Sequence, residues 1–278
     1  MTGREGSLGA GAGAGAGAGV GVGAGTGVGV GVGAGAVAGT GSAEGQKLSH
    51  VRLIAVNIDG VLLNDSFGPV IRRLVESRGG VYGPELEQAL LSQSQMVAAR
   101  AAAEVLGGSA EALLAAYFEE RERYVAEHPV RVLPGARELL ERLRGLGAST
   151  VCYGGLERKH FDRYLGDLEL AGLFDEPGYV CTNDFRPGIR EITEDVFGLR
   201  LDQVMFIDDV ARVAEAARDL GVAFIGHPSD YESGFQRPLM ERAGARHVVR
   251  SLGEIDEELL LRVDAEAAAG RSWPGRGV

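Results

Sequence analysis

The chain has 278 residues, of which 28 are basic and 39 acidic, for a formal net charge of −11. An acidic balance of that size argues against nucleic acid and anionic membrane surfaces as partners, because both carry the same sign. Two cysteines, Cys152 and Cys181, fall on separate predicted strands without metal-ligand spacing, and they read as reduced core thiols of a cytoplasmic protein.

The first segment is unlike the rest. From Gly9 to Gly35 every odd position is glycine, with Ala, Val or Thr between, and no charged residue occurs from Gly6 to Ala43. Glycine loses the most backbone entropy on ordering, and small apolar side chains return little burial to offset it. Residues 1–47 are therefore expected to be a disordered Gly/Ala/Val-rich tail. Silk-like stacking and a membrane span are the alternatives such a repeat leaves open, the second disfavoured because no aromatic or basic flank marks either end.

Ordinary globular sequence follows. The run VRLIAVNI at 51–58 is almost continuously apolar and β-branched, as a strand buried on both faces of a parallel sheet requires. Between it and the next strand there is only helical periodicity, over Val70–Ser77, Pro84–Leu106, Ala110–His128 and Gly135–Leu146. Pro84 suits a first helical turn, and Gly107–Gly108 stops the helix before it. Further strands are expected at Thr150–Tyr153, Tyr179–Thr182, Val204–Ile207, Val222–Ile225 and His247–Val249, alternating with helices at Glu157–Leu168, Ile189–Phe197 and Val210–Leu220. Strand and helix in alternation give right-handed crossovers. The expected fold is α/β, a three-layer Rossmann-like parallel sheet with an inserted helical cap. Residues 48–66 and 133–262 would form the core, 67–132 the cap, and 263–278 a flexible C-terminal tail.

Side chains two apart on a strand share a face, so Asn57 and Asp59 stand together at the carboxyl end of the first strand. Asp208 and Asp209 close the strand VMFIDD in the same way. In open α/β sheets that edge is where ligands bind. Asp65, in the segment after the first strand, reads as a turn or cap residue, and His160 as a solvated helical histidine. Cys152, one residue before a strand end, points into the sheet.

With those residues in view, the chain over roughly 51–250 resembles the haloacid dehalogenase (HAD) superfamily. The resemblance rests on VNIDGVLL, VLPGARELLERLRGLGASTVCYGG, FRPGIREITEDVFGL and QVMFIDDVARVAEAARDLGV, in that order. It implies a C1-type cap, a nucleophilic aspartate at position 57 and an acid–base aspartate at Asp59. It also implies a phosphate-holding hydroxyl at Tyr153 beside Gly154, a lysine at Arg186, and Mg2+ bound through Asp208, Asp209 and the backbone carbonyl of Asp59. Three of those positions depart from the pattern. Asn57 offers an amide, a poor nucleophile that removes one anionic metal ligand, so Mg2+ binding is expected to be weak or absent. Tyr153 is bulkier than the short hydroxyl and reads either as a substrate contact or as an aromatic filling space. Arg186 keeps the charge and can grip a carboxylate or phosphate by two parallel bonds.

Three functions stay open on this reading. One is a rewired enzyme in which Asp59 and the Asp208–Asp209 pair do acid–base work on a small anionic metabolite, either phosphorylated or carboxylated, Arg186 holds its anionic group beside Gly154, and Asn57 and Tyr153 orient it. The second is a catalytically silent binding or regulatory module, and the third a slow conventional phosphatase. No sequence feature sets an oligomeric state.

Overall fold

Alternation decides how the sheet is sandwiched. The computed structural model describes residues 46–275, and the glycine repeat expected to be disordered lies outside them. In β1 (Leu53–Asn57) every residue is buried. Ile54 and Val56 pack into one hydrophobic cluster with Leu139, Leu143 and Leu260, while Leu53 and Ala55 pack into another with Val213 and Leu239. One strand thus feeds a core on each face of the sheet.

β1 pairs in parallel with β2 (Ser149–Gly154) and β4 (Val204–Asp208), and these pair with β3 (Tyr179–Cys181) and β5 (Ala223–Gly226), giving the order β3-β2-β1-β4-β5. The strand expected at His247–Val249 is reduced to a single parallel bridge between Gly226 and Val248. The Arg237 guanidinium takes the carbonyls of Val248 and Val249, so that edge is satisfied by a side chain rather than by a ladder.

Between β1 and β2 the chain forms α1 (Gly68–Ser77), α2 (Pro84–Leu90), α3 (Gln95–Leu106) and α4 (Ala110–Glu127), followed by α5 (Ala136–Gly145). Helices α1 to α4 enclose a separate apolar cluster that includes Ile71, Val75, Leu90, Ala102 and Leu113. The single helix expected over Pro84–Leu106 is broken at 91–94, where Ser92 adopts φ +53°. The Gln88 carbonyl, left without a helical partner, accepts from Arg212 Nη2 at 2.8 Å, and Leu91 packs against the core of the sheet. Glu87 in α2 is buried and accepts from Phe235 N, the Gln236 side chain and the Tyr82 hydroxyl.

After β2 come α6 (Arg158–Phe161), α7 (Ala211–Leu220), α8 (Gln236–Ala243) and α9 (Glu257–Ala268). The last two were not expected, and α9 overturns part of the flexible C-terminal tail placed at 263–278. Asp264 accepts from Ser49 N and Oγ, His50 N and Val51 N, tying α9 to the entry of β1. Trp273 is 2 % exposed and its indole N–H donates to Val222 O at 2.8 Å. Four bonds to one carboxylate and a buried indole fix the chain as far as Trp273. Among the described residues, no helix is long and apolar enough to cross a membrane.

Candidate active site

The carboxyl ends of β1 and β4 lie side by side, and the turn after β1 brings its polar residues onto those after β4. Gly60 sits at φ +82°, and a Cβ there would fall 2.0 Å from Asp209 Oδ2, so only glycine lets the two loops meet this closely. The Asn57 amide occupies the junction. Its Nδ2 donates to the backbone carbonyl of Asp59 and to Asp209 Oδ1, each at 2.8 Å. A nitrogen placed against two oxygens fixes which end of the amide faces them.

Asp59 is held from the other side. His160 Nε2 lies 2.9 Å from Asp59 Oδ1, with both side chains buried. The expectation of a solvated helical histidine at 160 is therefore wrong. Its place in α6, immediately after β2, turns it toward β1, and Tyr164 packs edge-on against the ring at 5.0 Å. Its partner lies 101 residues away, so no local spacing in the sequence marks it.

Asp208 has a different use from the one expected. The Tyr153 hydroxyl donates to Asp208 Oδ2, and Val210 N donates to Asp208 Oδ1 at 2.7 Å. Both residues are 0 % exposed, and neither lines the cavity. Tyr153 spends its hydroxyl on a core carboxylate, as a space-filling aromatic at the strand end, and Asp208 braces the turn into α7. Gly154 is likewise structural: a Cβ there would meet Ile58 at 2.5 Å, and its carbonyl accepts from Thr182 N and Oγ1.

The residues that do line the cavity are Asn57, Asp59, Asp65, Arg186 and Asp209, with Gly155 in place of Gly154. Arg186 Nη1 donates to Thr182 Oγ1 at 3.0 Å, leaving the rest of its fork free for an anion. Asp65 caps α1 as expected, accepting from Phe67 N at 2.7 Å and Gly68 N at 3.0 Å. Burial pushes Asp209 well above the usual carboxylate range, and the neighbouring charges of Asp208 and Asp65 push the same way, against the Asn57 bond. Burial also raises Asp208 and Asp65. Burial holds His227 below its ordinary value, with Nδ1 3.1 Å from Gly60 O.

This donor set does not fit Mg2+ as the sequence implied. The Asp59 carbonyl and Asp209 Oδ1 both receive Asn57 N–H bonds, and both Asp208 oxygens receive protein donors. A hard cation needs several free oxygens converging on one point. Among the described residues, no cluster of three or more His, Cys, Asp or Glu side chains could hold a metal ion.

The architecture has close parallels among solved structures. A predicted phosphoglycolate phosphatase of Haemophilus somnus is 18 % identical, with 75 % of this chain and 97 % of that one covered at a TM-score of 0.54. A HAD family hydrolase of Deinococcus radiodurans, solved with bound phosphate and sodium, is 19 % identical over 78 % of this chain and 96 % of its own, at 0.52. A phosphonoacetaldehyde hydrolase-like protein of Oleispira antarctica is 15 % identical over 80 % and 96 %, at 0.56. The fold is that of the HAD-like hydrolases. No protein-family model matches the sequence, and no curated protein is similar to it.

Proposed function

We propose that the chain is an atypical HAD-like hydrolase that acts on a small anionic metabolite by acid–base chemistry, without an aspartyl intermediate. The observation that carries this reading is the Asp59–His160 pair: a carboxylate at the cavity wall, backed by a buried imidazole at 2.9 Å. No protein donor reaches Asp59 Oδ2 among the described residues, so that oxygen is left for substrate or water. Arg186 takes the anionic group and Asn57 fixes the loop that carries Asp59.

In the hydrolytic step, a water oxygen bonds to the electrophilic acyl or phosphoryl centre while Asp59 Oδ2 accepts one of its protons. The bond to the leaving group breaks, and Asp59 returns the proton to it, so that water is added across the bond and the enzyme is unchanged. His160 is a positioning residue, holding Oδ1 so that Oδ2 faces the cavity.

Wild-type protein in EDTA, incubated with panels of phosphate esters and of carboxylate-bearing acyl esters, should turn over at least one member. Asp59→Asn should lose that turnover by about a hundredfold or more. His160→Asn should shift the pH profile of kcat rather than merely lower it. A ligand that raises the melting temperature but is never converted would favour a silent binding module instead. The Asn57 amide supports that second reading, since both its N–H groups are spent on Asp59 O and Asp209 Oδ1.

A further inference from the structure

Above the polar floor, helices α1 to α4 roof a cavity of about 180 Å3. Its roof is apolar, contributed by Ile71, Val75, Ala99, Leu106, Leu113 and Phe118. A dry cavity of roughly 150 Å3 holds a benzene ring, so this one has room for a hydrocarbon body of about six to eight non-hydrogen atoms. A phosphate or a two-carbon acid would fill only the floor.

The cavity wall also holds an unsatisfied polar group. Ser92 is 5 % exposed, its hydroxyl has no hydrogen-bond partner among the described residues, and its backbone is held in the left-handed region at φ +53°. A non-glycine residue in that region is strained, and such strain collects at functional positions. The Tyr117 hydroxyl, also in the wall, is buried beside the Arg121 guanidinium. A buried unpaired hydroxyl is stabilised by a ligand that supplies the missing partner.

We infer that the substrate is amphiphilic: a carboxylate or phosphate head on Arg186, one hydrogen-bonding group beyond it for Ser92, and a hydrocarbon body of about six to eight carbons under the cap. This rests on the proposed acid–base site and names what that site takes. Asn57 contributes to the preference for an anion, because an amide stands where a carboxylate would repel the head.

Calorimetry with the full chain tests it, using acetate, butyrate, hexanoate and octanoate in one arm and inorganic phosphate, butyl phosphate and octyl phosphate in the other. Each added CH2 that fits should tighten binding about two- to fourfold, so the longest member binds at least tenfold more tightly than the shortest. The arm with the steeper series identifies the head. Ala99→Phe should abolish the chain-length dependence while leaving the short anion bound. Should that variant not fold, the series on the wild-type chain decides alone. Equal affinities along both series, or binding that weakens with length, would overturn the inference. Chain-length-dependent binding with no turnover of any ester would sink the acid–base reading and leave this one standing. Turnover of short esters as efficient as that of long ones would do the reverse.

Discussion

Replacing Asn57 by aspartate is the sharpest test of how the site is held together. The side chain is 4 % exposed, and its nitrogen donates to two oxygens at 2.8 Å. Aspartate keeps the shape but turns both contacts into oxygen facing oxygen. Two lost bonds at about 1 kcal/mol each, plus the desolvation of acceptors left facing one another, give a destabilisation of about 2–5 kcal/mol. For a domain of this size that is a fall in melting temperature of about 5–15 °C. The same substitution frees the Asp59 carbonyl and Asp209 Oδ1 to meet a cation together with the new carboxylate. Mg2+ at about a hundred times its Kd would return about 2.7 kcal/mol. Thermal melts of both proteins in EDTA and in excess Mg2+ should therefore show an Asn57→Asp variant that depends on Mg2+ and a wild-type chain that ignores it. Aryl phosphate hydrolysis by the variant should stay close to background. If the variant melts as high as wild type in EDTA, or if Mg2+ raises both equally, the amide does not hold the junction as described.

Arg186→Ala should weaken binding of any anionic ligand at least about tenfold by calorimetry, since it removes the guanidinium fork at the cavity wall. Asp209→Asn should raise the melting temperature at pH 8 by about 2 °C or more, scored against wild type at the same pH. The sign follows from the raised pKa: stability tied to protonated Asp209 is present at low pH and lost as pH rises through the folded value, and an amide there never ionises. Asp264 behaves in the opposite sense. Burial would raise it, but the bonds from Val51, Ser49 and His50 outweigh burial and hold it below the usual range. Its contribution is present above the unfolded pKa and is lost as pH falls through the folded one. Asp264→Ala should cost about 2–4 kcal/mol at neutral pH in denaturant unfolding and flatten the acid limb of the stability curve.

The strands were legible because burial on both faces leaves a run of apolar letters that little else produces. The edge residues were legible as well, since a strand end and a period of two fix where Asn57, Asp59 and Asp209 stand. What they bond to was not. Asp208 and Asp209 are adjacent in sequence and face opposite fates, one sealed under Tyr153 and the other open to the cavity, because consecutive residues leave a strand on opposite sides. His160 was misread because its partner lies 101 residues away, and a helix of four residues has too little periodicity to reveal its buried face. The break at Ser92 depends on Arg212, and the order of the C-terminus on Asp264 and Trp273. Each is a long-range hydrogen bond that overrides local propensity.

Glu87 shows where the inserted helices really divide. By chain order α2 belongs with α1, α3 and α4, yet its buried carboxylate is bonded to Phe235 and Gln236 at the start of α8, and its Gln88 carbonyl to Arg212 of α7. Any outward swing of the roof that kept α2 with it would strip the Phe235 and Gln236 donors from a carboxylate in a dry setting and the Arg212 donor from the Gln88 carbonyl. Parting at the kink around Ser92 leaves those bonds intact. The insertion therefore has a seam inside it, with one helix riveted to the sheet's flank, and its covalent boundary and its mechanical boundary are not the same line.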